Sequence, residues 1–208
     1  MDFLWQSWLR KTKIKGNILN KTDISSFDKL ELKEYLKELG ERKNIKIESF
    51  RADQIFDWLV KGAGSFDDML NVPKTIKQAL NDDAFISLPV VEKKLVSKLD
   101  GTVKYLFRLH DGECVESVFM KYEHGNTVCI STQVGCRMGC TFCASTLCGK
   151  TRDLLASEMT GQVIAVMKDL GQKVSNIVMM GIGEPLDNYD NVLKFLHLVN
   201  LPEGLSIG

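Results

Sequence analysis

Three thiols stand in one short stretch, Cys136-Arg-Met-Gly-Cys140-Thr-Phe-Cys143, separated by three residues and then by two. Cysteines so spaced on a glycine-marked loop form a ligand pattern, and their number selects the chemistry. A structural zinc site closes on four ligands, and a closed iron–sulfur cluster also takes four cysteines. Three thiolates instead leave one iron of a four-iron cluster open to a substrate or cofactor. A second stretch with chemistry in it is Gly181-Ile-Gly183-Glu184-Pro185. Pro185 biases Glu184 to an extended backbone, the glycines permit close approach of a ligand, and the carboxylate can accept charge-assisted bonds from an ammonium group. Taken alone this is a glycine turn bearing a surface glutamate; beside an open cluster it reads as a ligand-binding loop.

The elements that must position these loops follow from the apolar rhythm. Residues 1–26 have no sustained period and carry Arg10, Lys11, Lys13, Lys15 and Lys21, which reads as a disordered leader or a misassigned start. From Asp28, a capping residue, Leu30, Leu32, Tyr35, Leu36 and Leu39 form a helical stripe that Gly40 should stop. A second helix follows Ser49, with Phe50, Ile55, Phe56, Trp58 and Leu59 on one face and Gly62 and Gly64 at its end. Ser65 opens a further turn, and Pro73 starts a last helix through Ile76 and Leu80. Residues 27–88 thus read as a small helical domain. At Ser87-Leu88-Pro89 the period changes from helical to alternating, which marks a boundary.

Residues 89–208 then divide into a β meander (91–133), a thiol loop (134–149) and the first α/β units (150–208). Val103, Tyr105, Phe107 and Leu109 alternate with polar residues between the turn signals Asp100-Gly101 and Asp111-Gly112. A third strand spans Glu113–Met120, and a fourth runs from Thr127 to Gln133 into the thiol loop. Ser157 caps a helix bearing Met159, Val163, Val166, Met167 and Leu170. Ile177–Met180 forms a strand, a helix from about Asp190 carries Val192, Phe195, Leu196 and Val199, and another strand is due at Leu205–Gly208. Such alternation begins a parallel α/β sheet or barrel. Ligands gather at the carboxyl ends of parallel strands, so the thiol and glycine loops should share one mouth. If the chain stops there, the helix from Ser157 and the strand Ile177–Met180 lose partners and expose an apolar patch.

Composition narrows the class. The 208 residues are 44% hydrophobic, and 27 Lys and Arg balance 27 Asp and Glu, so the chain is not a basic nucleic-acid binder taken whole. No stretch approaches a membrane span, and Met1–Arg10 lacks a secretory pattern. Six cysteines without export are reduced thiols or metal ligands, and cytoplasmic residence is expected. Cys129 shares a polar strand face with Thr127, Ser131 and Gln133, where a thiol is less inert than in a core. Glu116 lies mid-strand among Cys114, Val118 and Met120, neighbours that suit a base by raising a carboxyl pKa. Their plainer readings are a buried small residue and an edge-strand charge.

The run Gln133-Val-Gly-Cys136-Arg-Met-Gly-Cys140-Thr-Phe142-Cys143-Ala-Ser-Thr146, with Met179-Met-Gly-Ile-Gly183-Glu184-Pro185-Leu186 and Phe50-Arg-Ala-Asp-Gln-Ile55, resembles the RlmN/Cfr family of radical S-adenosylmethionine (SAM) methyltransferases acting on ribosomal RNA, and its RlmN branch most. The resemblance runs from about residue 26 to the last residue. It implies an α/β fold: the start of a radical SAM partial (β/α) barrel, preceded by an antiparallel meander and a small helical domain. It implies a [4Fe-4S] cluster on Cys136, Cys140 and Cys143, with SAM on the open iron and Phe142, Gly183, Glu184 and Pro185 about that cofactor. The implied product is 2-methyladenosine in 23S rRNA, at the peptidyl-transferase centre, and in tRNA. In the family's mechanism a radical passes through a methylated cysteine, Glu116 matches the proton acceptor, and Cys129 matches the cysteine that releases the RNA adduct. The implied partners are 23S rRNA, tRNA and an electron donor such as flavodoxin or ferredoxin, with no membrane, for a monomer. Asp153 departs from the family's usual Asn, and no residue here corresponds to the methyl-carrying cysteine, so the chain reads as C-terminally incomplete and inactive by itself. Rival readings are a Cfr-type C8 methyltransferase and a zinc-binding RNA module using the three cysteines with Cys129 or Cys148.

Overall fold

The computed structural model describes residues 21–207; most of the leader and the final Gly208 lie outside the described residues. Two apolar cores account for the packing. The first belongs to the helices α1 (Lys29–Lys43), α2 (Arg51–Val60) and α3 (Lys74–Asp83). It gathers Leu32, Leu36, Leu39, Ile55, Phe56, Met69 and Leu80. Asp28 caps α1 as its side chain suggests, accepting from the amides of Leu30 and Glu31 while Glu31 returns a bond to the Asp28 amide, the reciprocal arrangement of a capping box. Gly40 does not stop this helix. The chain continues to Asn44, which takes the left-handed conformation at φ 51°, and Gly40 instead makes room for the returning strand of chain, since a Cβ there would stand 2.8 Å from the Ile45 carbonyl oxygen. Pro73 precedes α3 as its N-cap. Leu30 and Phe50, placed on the apolar stripes by periodicity, are exposed.

Residues 22–26, grouped with the leader by sequence, are part of this module. A short strand β1 (Thr22–Asp23) pairs in parallel with β2 (Ala84–Phe85), and Ile24 is fully buried.

The second core lies under a five-stranded sheet formed by β3 (Val90–Val96), β4 (Val103–Arg108), β5 (Cys114–Tyr122), β6 (Gly125–Cys129) and β9 (Asn176–Val178) in that spatial order. The first four form an antiparallel meander and β9 joins β6 in parallel. Alternation is read out directly: Tyr105, Phe107, Val115, Phe119 and Val128 point to one face and are essentially fully buried. That face is covered by α4 (Ala156–Leu170) and α5 (Tyr189–Asn200). Met159, Val163 and Val166 are fully buried, so α4 does not present the exposed patch expected of it. Leu196 of α5 is partly exposed, its place in the core taken by Leu198.

Three local expectations are corrected. The strand anticipated from Thr127 to Gln133 is broken: β6 ends at Cys129 and a separate β7 (Gln133–Gly135) pairs with β8 (Lys150–Asp153). Ile130 N–H makes the last ladder bond, to Val178 O on β9; beyond it the chain leaves the ladder because Ser131 N–H bonds the Gln162 side chain and Thr132 N–H bonds Ile182 O. Ser157 does not cap α4, which starts one residue earlier; its hydroxyl donates to Asp23 of the helical module, while Glu158 accepts from the Leu155 amide. No strand forms over 205–207; Ile207 turns back and donates to Val199 O at 2.9 Å. No helix among the described residues is long and apolar enough to cross a membrane.

Candidate functional site

The thiol loop is the loop of a β hairpin. Its stem pairs Gln133 with Asp153 and Val134 with Arg152, and Cys136 N–H donates to Gly149 O at 3.1 Å. Gly135 makes the stem possible: it sits at φ +74°, and a Cβ there would lie 1.9 Å from the Gly149 carbonyl oxygen. Within the loop, Cys143 N–H bonds Cys140 O, and a single helical turn over Ala144–Thr146 is held by Thr146 Oγ1 donating to Cys143 O at 3.0 Å. Cys136 is buried, Cys143 half-buried and Cys140 exposed, and Phe142 is 92% exposed.

Among the described residues, no three His, Cys, Asp or Glu side chains converge as a metal-holding group. The donor set nevertheless suits a cluster that needs three thiolates: the loop carries three spaced thiols, and Gly139 at φ +72° has nothing within 4 Å of its Cβ position.

Gln133 joins this hairpin to the glycine loop. Its backbone N–H donates to Ile182 O, its Oε1 accepts from Glu184 N–H at 3.0 Å, and its Nε2 donates to Asp153 at 2.8 Å and Asp187 at 2.9 Å. Asp187 in turn holds the Arg137 guanidinium and, at 3.0 Å, the Lys150 ammonium. The Arg137, Gln133 and Lys150 donors hold the Asp187 carboxyl far below the usual carboxylate range. Both loops are therefore tied at one mouth, as the strand-end argument anticipates. The glycines serve a use that spacing did not show. A Cβ on Gly181 would meet Ile130 O at 2.6 Å, and one on Gly183 would meet the Gln133 side chain at 2.6 Å, so the close approach they permit is to their own chain. Glu184 is extended at φ −109°, ψ 114° before Pro185, and one carboxylate oxygen accepts from Leu186 N–H.

Glu116 and Cys129 share the sheet face opposite α4. Val118 is the register partner of Cys129, and Glu116 is two residues along β5 from it, so both side chains stand on one side of the sheet. Glu116 Oε1 pairs with Lys104 Nζ at 2.9 Å, a cation that the sequence had not placed there. Burial pushes the half-buried Cys129 thiol up, opposed by the Met180 backbone N–H. Ser131 links this face to the glycine loop, its hydroxyl donating to Glu116 O at 2.7 Å and accepting from Ile182 N–H at 3.0 Å.

Behind the site lie residues that motif reading did not find. Gln162, fully buried on α4, accepts from Ser117 Oγ and Ser131 N–H and donates to Ser131 O and Glu158 O. Asn188 donates to Thr132 O and Leu154 O, both at 2.8 Å. Glu158, also fully buried, takes both arms of Arg152 at 2.7 and 2.8 Å. His110 Nδ1 stands 3.5 Å from it, near enough for charge attraction without hydrogen-bond alignment. Burial would raise the Glu158 carboxyl, but His110 and Arg152 outweigh it and hold it at about 2. The one available signal was the apolar stripe of α4, on which a glutamine and a glutamate are out of place.

Residues 22–86 match the family model described as the ribosomal RNA large subunit methyltransferase N-terminal domain, the same stretch that builds the first core. Among curated proteins, the chain is 50% identical over 192 residues to a protein of Clostridium tetani, covering 92% of this chain and 52% of that one. It is 49% identical over 186 residues to one of Clostridium acetobutylicum, covering 89% and 52%. Both are named probable dual-specificity RNA methyltransferase RlmN. Among solved structures, a radical SAM methyltransferase from Sphaerobacter thermophilus superposes with a TM-score of 0.80 at 36% identity, over 90% of this chain and 54% of that chain. The chain spans about half the length of the curated relatives it matches.

Proposed function

We infer that this chain, which belongs to the RlmN family over the half of its relatives' length that it spans, provides the cluster-holding part of a radical SAM enzyme forming 2-methyladenosine in 23S rRNA and tRNA. The observation that carries this reading is the thiol hairpin, closed at Gly135 and tied through Gln133 and Asp187 to the glycine loop. Cys136, Cys140 and Cys143 are the residues to hold a [4Fe-4S] cluster, and Phe142, Gly183, Glu184 and Pro185 those to hold SAM beside it. When bound, these groups supply radical chemistry at adenine C2, an electron-poor ring carbon closed to polar methyl transfer.

The chain's own residues then position, exclude water and move protons. On the open sheet face, Glu116 is the acceptor for the ring proton, with Oε2 available because Oε1 faces Lys104. Cys129 Sγ would release the RNA by forming a disulfide with the methyl-carrying cysteine's sulfur as the carbon–sulfur bond breaks, the freed carbon taking up a proton. Its half-burial keeps it a thiol until the adduct is presented. The separate cores support a division into a helical accessory domain at 22–88, wider than the 27–88 read from the sequence, and a radical SAM domain from 89. A flavodoxin or ferredoxin as electron donor and cytoplasmic residence accompany this reading.

The test is anaerobic purification followed by iron and sulfide analysis. Wild type and Cys129→Ala should hold iron and sulfide in four-to-four proportion, and Cys140→Ala should hold neither. A colourless protein with stoichiometric zinc would overturn the reading. In the complete enzyme Cys129→Ala should accumulate protein covalently joined to RNA, and mass spectrometry of the methylated base separates C2 from C8.

A further inference from the structure

On the same sheet face, beyond Cys129, lies a shallow groove lined by Val118, Met120, Tyr122, His124, Thr127 and Asn176, continuing to Met180. Its outer wall is the tip of the β5–β6 hairpin. There the rings of Tyr122 and His124 stack in parallel, with centroids 5.1 Å apart and planes 7° apart, and both residues are exposed. Tyr122 O–H is turned to Met120 Sδ at 3.4 Å, which holds the ring against the groove. A stacked pair of flat rings standing in water at a hairpin tip adds little to a core; it offers a π face.

The floor supplies an independent observation. Thr127 and Asn176 are register partners on β6 and β9. Thr127 is only 5% exposed, and both Thr127 Oγ1 and Asn176 Nδ2 are buried without a hydrogen-bond partner among the described residues. Buried polar atoms are paired in nearly all folded proteins, so a hydroxyl and an amide left side by side at the base of a groove call for a ligand with donors and acceptors along one edge. A flat aromatic body with such an edge is a nucleobase.

We propose that this groove is a subsite for one unpaired RNA base, stacked on the Tyr122–His124 pair and edge-bonded by Thr127 and Asn176. Resting on the methyltransferase reading, it takes a nucleotide flanking the one that reaches Cys129, and so helps select single-stranded over helical RNA. The stack gives affinity with little base preference, and the Thr127–Asn176 edge gives what preference there is.

The experiment uses the 208-residue chain and two fluorescein-labelled probes, hexaadenylate and a six-unit abasic ribose-phosphate strand, read by fluorescence anisotropy at fixed salt. Wild type should bind the base-bearing strand at least tenfold more tightly, within the range that base–aromatic stacking yields. Tyr122→Leu and His124→Leu, which keep the apolar bulk, should each weaken hexaadenylate about five- to tenfold and leave the abasic strand unchanged. Thr127→Val, matched in shape, should weaken hexaadenylate severalfold. Equal binding of the two probes by wild type, or Tyr122→Leu and His124→Leu variants that bind as wild type does, would overturn the proposal. Circular dichroism of each variant separates lost binding from lost folding. Iron and sulfide content, measured on the same preparations, reports on the cluster reading independently: a chain that binds the base but holds no cluster sinks that reading and not this subsite.

Discussion

Replacing Gln162 by Leu tests how the two sides of the sheet are joined. The side chain is fully buried and makes four hydrogen bonds. Leucine fills similar volume but leaves Ser131 N–H, Ser131 O and Ser117 Oγ without it, while the Glu158 carbonyl keeps its helical partner. The Ser117 hydroxyl can rotate; the two backbone groups of Ser131 cannot. At about 1–3 kcal/mol for each buried orphan, they cost roughly 2–6 kcal/mol, and the added apolar surface returns about 1 kcal/mol. A net loss near 3 kcal/mol is a large part of a domain stability of about 5–15 kcal/mol. With a urea slope of about 2 kcal/mol/M, the midpoint should fall by about 1.5 M. The assay is urea unfolding followed by circular dichroism, with hydrogen exchange at the Ser131 amide as a local probe. Gln162→Glu should be worse, and worse still as pH rises above about 4.3, because its carboxylate would face the Ser131 carbonyl. A Gln162→Leu midpoint within about 0.3 M of wild type, with Ser131 still protected, would refute the claim that this side chain satisfies the segment between β6 and β7.

Two further outcomes follow from the geometry. Glu158 is held at about 2, below its ordinary 4.5, so its stabilising contribution is complete above pH 4.5 and is lost as pH falls from there toward 2. Urea midpoints measured from pH 6 to pH 3 should decline, by up to ~3 kcal/mol for the full shift, and Glu158→Gln should flatten that decline from a lower starting stability. Gly135→Ala should open the hairpin stem and abolish iron uptake, because the methyl would overlap Gly149 O at 1.9 Å. Gly101→Ala, also at positive φ (72°) but with nothing within 4 Å, should cost only about 1–2 kcal/mol of left-handed strain and leave iron content intact; equal iron content in the two variants would contradict the assignment.

Patterning made the helices and the meander legible where each residue's neighbours are close in sequence. Asp28 capping α1, the buried alternation of Tyr105 and Phe107, and the Asp100-Gly101 and Asp111-Gly112 turns are decided within a few residues. The misreadings occur where a distant partner decides. Gly40 looks like a stop, yet the chain returning at Ile45 gives it another use. Thr127–Gln133 alternates like one strand, but Gln162 takes both backbone groups of Ser131 and the loop after β9 takes Ile130 O and Thr132 N–H. Ser157 looks like a cap and instead bonds Asp23, far earlier in the chain. At the site, the thiols and the Gly183-Glu184-Pro185 run stand out by composition. Asp187 and Lys150, which tie the loops together through Gln133, and Lys104 beside Glu116, carry no local mark. Their significance lies in which side chains meet, and that is set by the fold.

The order of strands in the larger sheet also bears on how the molecule is made. From β3 to β6 each strand lies beside the one synthesised just before it, so pairing needs only hairpin closures. These take about 1–10 μs, whereas a ribosome adds about 5–20 residues per second. Everything on the open face from Glu116 to Cys129 precedes Cys136 in the chain, so the meander can be standing on the nascent chain before the first cluster thiol leaves the exit tunnel. The thiol hairpin is then laid against a platform already built, and only β9, returning after α4, must find its place across a long stretch of sequence. The three cluster thiols are thereby born late, beside a surface able to receive them.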